Sequence, residues 1–250
     1  MIPDDDRGFT LGDGLFETVL AEKGVLADWD AHVARLAAGC AALGLPAPKA
    51  AVLRARADKA LITAGFAKAR AAVRLTWTAG SGDRGLDRPT ELKPRLVVTA
   101  APAPAPKGPA RLITASVRRN EHSLSSRHKT LNSLDNVLAR REALQTGADE
   151  AVMLNLAGRL ACAAAANLFW LEGEAFFTPA LSCGVLAGTI RARVIAGLTA
   201  SGREVREVAA PPEALVRAKA IFLTNSLIGV RDVSEIDGRP VPLQVSSLLR

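Results

Sequence analysis

The stretch "APAPAPKGP", Ala101 to Pro109, constrains this chain more than any other. Proline fixes φ and lacks an N–H, so a run of alternating prolines can neither continue a helix nor sit inside a sheet. It favours extended, semi-rigid polyproline geometry. The 250 residues therefore divide into a domain over 1–100, a linker over 101–109 and a second domain over 110–250. A hydrophobic content of 49% is enough for each part to bury a core.

Both parts mix strand and helix signals, which predicts an α/β fold class. In the first, "FTLGDGLFETVLAE" (9–22) reads as a glycine turn leading into a strand, with Lys23 and Gly24 as the next turn. Asp30 is the expected N-cap of a helix that stops at Gly44, and a second helix is expected over 48–64. "AAVRLTWTAG" and "RLVVTAA" are strands around the polar loop "GSGDRGLDRP". Trp77 reads as core or as a wall of a substrate pocket. In the second part a strand is expected at 111–118 and a helix at 133–146, with Leu134, Val137, Leu138 and Leu144 as its apolar face. Hairpins are expected around Ala157–Gly158 and Glu172–Gly173. A helix led by Gly188, a further helix and the strand "AIFLTNS" follow.

No apolar run reaches the ~18 residues of a membrane span. "MIPDDDRGF" has an acidic cluster where a signal peptide has an apolar core. Three cysteines, Cys40, Cys162 and Cys183, are odd in number and not spaced as CxxC, which argues against a disulfide framework or a metal site. The expected location is the cytoplasm. The net charge of +7 points to an anionic partner. The arginines are spread along the chain and there is no tyrosine, so the expectation is a small anion rather than nucleic acid.

Eight lysines stand against twenty-four arginines. Seven sit in turns, the linker or helical faces. Lys129, in "SSRHKTLN", precedes a helix start, where the positive end of the dipole disfavours another positive charge. Partial burial would act in the same direction. A lysine that can be neutral near pH 7 is a nucleophile. From position alone, an ordinary exposed lysine and a reactive one both stay open.

The ordered set "DRGFTLGDGLFET", "HVARL", "HKTLN", "KTLNSLDNVLARREA…GADEAVMLN", "GRLACAAAANLFW", "GVLAGTIR" and "FLTNSLIGVRDV" resembles the class IV, fold-type IV, pyridoxal-phosphate enzymes. These include branched-chain and D-amino-acid aminotransferases and aminodeoxychorismate lyase, and the likeness covers nearly the whole chain. It implies a two-domain fold of the D-amino-acid aminotransferase type, a homodimer, and pyridoxal 5'-phosphate in the cleft between the domains. Lys129 matches the lysine that forms the Schiff base and moves protons on the substrate. Arg35 matches the arginine of the cofactor phosphate. Gly188, Thr189 and Ile190 match the helix N-terminus that binds the same phosphate, a site that unpaired amides and the dipole both favour. Ser226, with Asn225 beside it, matches the hydroxyl residue completing that cradle.

Two departures stand out. Family members carry a glutamate against the pyridine nitrogen, and the matching residue here is Cys162. Replacement leaves a weaker electron sink, a thiolate in the carboxylate's place, or a cofactor-binding protein with poor catalysis. The strand ahead of "DRGFTLGDG" is nearly absent. Phe16 and Leu86 stand where D-amino-acid aminotransferases carry a tyrosine and a histidine, whereas Arg84 matches the arginine of their substrate-carboxylate site. "GSGDRGL", "NLFW" and "LNSLDNVLARREA" look closest to aminodeoxychorismate lyase, of folate biosynthesis. That makes a lyase the first expectation, a branched-chain or D-amino-acid aminotransferase the second, and a pyridoxal-phosphate-binding or basic binding protein, with catalysis weak or lost through Cys162, the third.

Overall fold

The computed structural model describes residues 2–242 and 245. The chain forms two compact units, Met1–Pro104 with His128–Asn132, and Ala105–Arg127 with Ser133–Arg250. The segment carrying Lys129 thus groups with the first unit, not with the residues that flank it in sequence.

The first unit opens with α1 (Arg7–Leu11), capped by the Asp6 carboxylate on Gly8 N–H and closed by Gly12 at φ 68°. Strands β1 (Gly14–Glu22), β2 (Val25–Leu26), β3 (Ala71–Thr78) and β4 (Arg95–Pro102) form an antiparallel sheet in the order β2-β1-β3-β4. Period-2 alternation sends Leu15, Glu17, Val19 and Ala21 inward and leaves Phe16, Thr18 and Leu20 half-buried. Helices α2 (Trp29–Leu43) and α3 (Ala50–Thr63) cover the inward face, burying Leu36, Cys40, Leu53 and Leu61 against Val73 and Leu75.

Local signals set most of these boundaries. Lys23 and Gly24, both at positive φ, make the turn between β1 and β2, and Gly44 closes α2 at φ 64°. The α2 N-cap is Asp28, however, and the expected cap Asp30 lies in the first turn. Trp77 packs with the core cluster and donates its indole N–H to the Pro46 carbonyl at 3.0 Å, so it is core rather than a pocket wall.

The second unit is built on β5 (Ala110–Arg119), β6 (Glu150–Asn155), β7 (Leu160–Ala163), β8 (Asn167–Glu172), β9 (Ala175–Pro179), β10 (Val205–Val208), β11 (Ala220–Asn225), β12 (Gly229–Ile236) and β13 (Arg239–Pro240). Eight run in the order β10-β9-β8-β11-β12-β5-β6-β7, and β13 pairs with β12. The two expected hairpins are β6–β7 and β8–β9. The helices are α4 (Leu124–Arg127), α5 (Leu134–Gln145), α6 (Thr189–Ala200) and α7 (Glu213–Arg217). Ile190, Val194 and Leu198 of α6 pack on Phe169 and Phe222, whose rings stack at 4.9 Å.

Helix α5 reverses one expectation. Its buried residues are Ala139 and Ala143, whereas Leu134, Val137 and Leu144 are each more than half exposed. Small side chains let the helix approach β5 and β6 closely, which turns the leucine stripe outward. Among the described residues no helix is long and apolar enough to cross a membrane, and no cluster of candidate metal ligands occurs. All three cysteines are free and buried.

Candidate active site

Within the first unit, Lys129 is fixed by backbone pairing on the edge of β1. Phe16 N–H donates to the Lys129 carbonyl at 2.9 Å, Leu131 N–H donates to the Gly14 carbonyl at 3.0 Å, and Leu15 bridges Thr130. This pairing sets the half-buried Lys129 over Phe16, with Nζ 4.2 Å from the ring centroid. The same ring takes the Arg74 guanidinium at 3.7 Å. Arg74 shares the outer face of the sheet with Phe16, because its register partner is Thr18. Arg74 is exposed by its surface area, yet partial desolvation where it stacks on the ring pushes its pKa down, and among the described residues this cation has no carboxylate partner. Sequence reasoning missed Arg74. The signal available was its parity with Phe16 on paired strands, and that pairing is a tertiary fact.

Arg35 stands on the inner face, where Glu17 takes its guanidinium in a two-pronged pair, Nε to Oε1 at 2.8 Å and Nη2 to Oε2 at 2.6 Å. His32 Nδ1 adds a third contact to Glu17 at 2.7 Å. Burial pushes the Glu17 carboxyl up, but the hydrogen bonds from Arg35 and then His32 outweigh it, and the net shift is downward. Glu17 therefore stays ionised and holds Arg35 in one geometry. Arg84 is exposed on the loop between β3 and β4.

Within the second unit, Gly188 is the N-cap of α6 and has no side-chain cap. A Cβ there would stand 1.9 Å from Asn167 Oδ1, so only glycine fits. Asn167 is held in turn by donating to the Leu186 carbonyl at 2.9 Å. Asn225 donates to the Ala165 carbonyl at 2.9 Å and accepts from Leu227 and Ile228 N–H, which shapes the turn containing Ser226. Thr224 Oγ1 is buried with no partner among the described residues. It is two residues along the strand from Phe222, and so on the face that α6 covers. Sequence reasoning missed Thr224 as well.

Cys162 lies on β7 opposite Met153, 5% exposed, in a shell of alanines that includes Ala115, Ala139 and Ala164. Burial pushes its thiol up, Arg119 pulls it down, Glu150 adds to the rise, and the net direction is upward. Burial at this position therefore favours the thiol over the thiolate. Glu150, whose own carboxyl burial pushes up, is occupied by Ala151 N–H at 3.0 Å and by Arg140 at 3.2 Å. A hollow of about 420 Å³ in this unit is lined by Asn136, Val137, Arg140 and Ala164 among others, and none of the expected site residues lines it.

A family model for amino-transferase class IV matches residues 14–236. The chain belongs to that family. Its cofactor is pyridoxal phosphate, and its members are aminotransferases and lyases acting on amino-acid-like substrates. The chain is 31% identical to an aminodeoxychorismate lyase of Vibrio harveyi over 240 residues, covering 94% of this chain and 87% of the relative. It is 34% identical to a Methanocaldococcus jannaschii protein named, provisionally, a branched-chain-amino-acid aminotransferase, over 94% of this chain and 83% of that one. The crystal structure of 4-amino-4-deoxychorismate lyase from Pseudomonas aeruginosa superposes with a TM-score of 0.88 at 30% identity, covering 100% of this chain and 93% of that one.

Proposed function

We propose that this class IV enzyme is a 4-amino-4-deoxychorismate lyase, which eliminates pyruvate and releases 4-aminobenzoate for folate synthesis. The observation that carries the reading is the pair of cations on Phe16, with the Lys129 amine at 4.2 Å and the Arg74 guanidinium at 3.7 Å. A nucleophilic amine beside a cation with no carboxylate of its own suits a substrate bearing negative charge. The substrate of this lyase is a dianion. Arg74 answers one carboxylate, and Arg84 on its loop answers the other.

The residues present fit the cofactor's phosphate. Gly188 opens the N-terminus of α6, whose first amides point outward along the dipole. Thr224 offers a buried hydroxyl on the face packed by α6. Within the second unit, Gly188, Thr189, Ile190, Asn225 and Ser226 would hold the phosphate. Within the first, Arg35, held by Glu17, offers a guanidinium to an anion, and Lys129 offers an amine to the aldehyde. The residues do not fit the ring nitrogen in the same way, because Cys162 supplies no acid there.

When bound, the cofactor supplies an electron sink for the substrate carbon. Lys129, once displaced by the substrate amine, takes and returns a proton through Nζ as general base and acid. Phe16 walls the amine on one side and limits the positions it can take. With a neutral thiol at position 162 the sink is weaker. That burdens transamination, where the electrons must be stored, more than an elimination that passes them to a leaving group and ends in an aromatic product. The 34% relative supports transamination as the second reading. The proposed location is the cytoplasm and the proposed assembly a homodimer. The test supplies aminodeoxychorismate and assays 4-aminobenzoate, then supplies amino acids with pyruvate or 2-oxoglutarate. Transamination without 4-aminobenzoate rejects the lyase.

A further inference from the structure

One buried side chain joins the motif "DRGFTLGDG" to the loop "GSGDRGL". Arg7 is 4% exposed. Its Nη2 donates to the Leu86 carbonyl at 2.8 Å, and its Nη1 donates to the Asp87 carbonyl at 2.8 Å and, more weakly, to the Gly85 carbonyl at 3.5 Å. Its Nε donates to Asp13 at 3.0 Å. Three consecutive carbonyls therefore converge on one guanidinium, whose rigid fork of five donors suits the task as a lysine's ammonium does not.

The glycines of the loop make this possible. A Cβ on Gly82 would stand 2.8 Å from Arg7 Cδ, and Gly85 has φ +113°, a conformation that side-chain-bearing residues avoid. The foot of the arch is stitched to the N-terminal segment by Arg7 N–H on the Gly80 carbonyl (2.8 Å) and Gly82 N–H on the Asp5 carbonyl (3.2 Å). Its far end is held by Arg88, which donates to both Asp13 oxygens at 3.0 and 2.5 Å and to the Leu43 carbonyl at 2.6 Å. Burial pushes the Asp13 carboxyl up, the bonds from Arg88 and Arg7 outweigh it, and the net shift is downward, so Asp13 stays an anion between two cations. Between these anchors Arg84 is exposed and makes no hydrogen bond or ion pair among the described residues. A glycine-rich arch is costly to order, and here the order is supplied in advance from below.

We propose that Arg7 is a positioning residue, which fixes the 80–88 arch so that Arg84 meets the substrate at a set place, and thereby governs substrate binding without touching substrate. This rests on the reading of Arg84 given above. The test compares Arg7→Lys, Arg7→Gln and Arg84→Gln in the pyridoxal-phosphate-loaded enzyme. Asp13→Asn, which removes the anion behind Arg7, serves where an Arg7 variant fails to fold. Circular dichroism and cofactor absorbance certify the fold. Trypsin reports the arch directly, because within it only Arg84 offers a cleavable bond, Arg88 being followed by Pro89.

Arg7→Lys and Arg7→Gln are expected to be cut after Arg84 on the order of ten times faster, and to raise KM ten- to a hundredfold with kcat nearly unchanged. Arg84→Gln is expected to raise KM similarly, and adding Arg7→Lys to it should change little more. Folded Arg7 variants with wild-type cleavage and KM overturn the proposal. An Arg84→Gln effect on KM without an Arg7→Lys effect rejects this inference alone. An unchanged KM in Arg84→Gln rejects the substrate reading of Arg84 itself.

Discussion

Lys129 Nζ and the Phe16 ring are held together by main-chain pairing, since the Phe16 amide donates to the Lys129 carbonyl at 2.9 Å while the amine sits 4.2 Å from the ring centroid. The amine's place therefore follows from strand register rather than from the choice of a flexible side chain. Any change that slips β1 by one residue would exchange Phe16 for a core residue beneath the amine.

Lys129→Ala is expected to abolish the visible absorbance of the loaded protein and its borohydride-trapped adduct, while changing stability by only about 1 kcal/mol, the scale of a half-exposed cation–π contact. Mass spectrometry of the reduced protein checks the first expectation and urea unfolding the second. A yellow, reducible variant would refute the assignment of the amine.

Glu17→Gln is expected to cost about 3–5 kcal/mol near neutral pH, because it leaves Arg35 and His32 without their buried anion. The folded carboxyl lies below its ordinary value of 4.5. Its stabilisation is thus fully present above that value and is lost as pH falls through the lower folded one. The gap between wild type and variant in urea midpoint should be wide at neutral pH and close in acid. A gap that widens in acid would contradict the pairing.

The cysteines should resist thiol reagents in the native protein. Burial pushes Cys40 up to about 11, and Cys162 and Cys183 are likewise raised. A disulfide-exchange dye at pH 8 should label none quickly in the folded protein and all three in denaturant. Fast native labelling at Cys162 would show a thiolate there.

Gly188→Ala is expected to destabilise the protein by about 1–3 kcal/mol, because its Cβ would fall 1.9 Å from Asn167 Oδ1. It should also weaken binding of pyridoxal phosphate, since the start of α6 must move. Titration calorimetry and thermal unfolding read the two effects. Unchanged affinity would remove the α6 N-terminus from the phosphate site.

Period-2 and period-3.6 patterns, the glycine stops and the turn residues were enough to place β1, β3, β6 to β9, α2, α3 and α6, because those signals act within a few residues of one another. So was the order of motifs that marks the family. The sequence alone could not assign Arg74 to the face of Phe16, Arg7 to the carbonyls of residues 85–87, or Thr224 to the side covered by α6, since each depends on which strands pair and in what register. It also pointed the leucines of α5 inward, where contact with β5 and β6 selected Ala139 and Ala143 instead. Local chemistry determined the elements, and the order of motifs singled out Lys129 as the candidate amine. Long-range packing decided which charges share a neighbourhood, because a side chain's partners follow from hydrogen-bonded register across chain distances that no short pattern records.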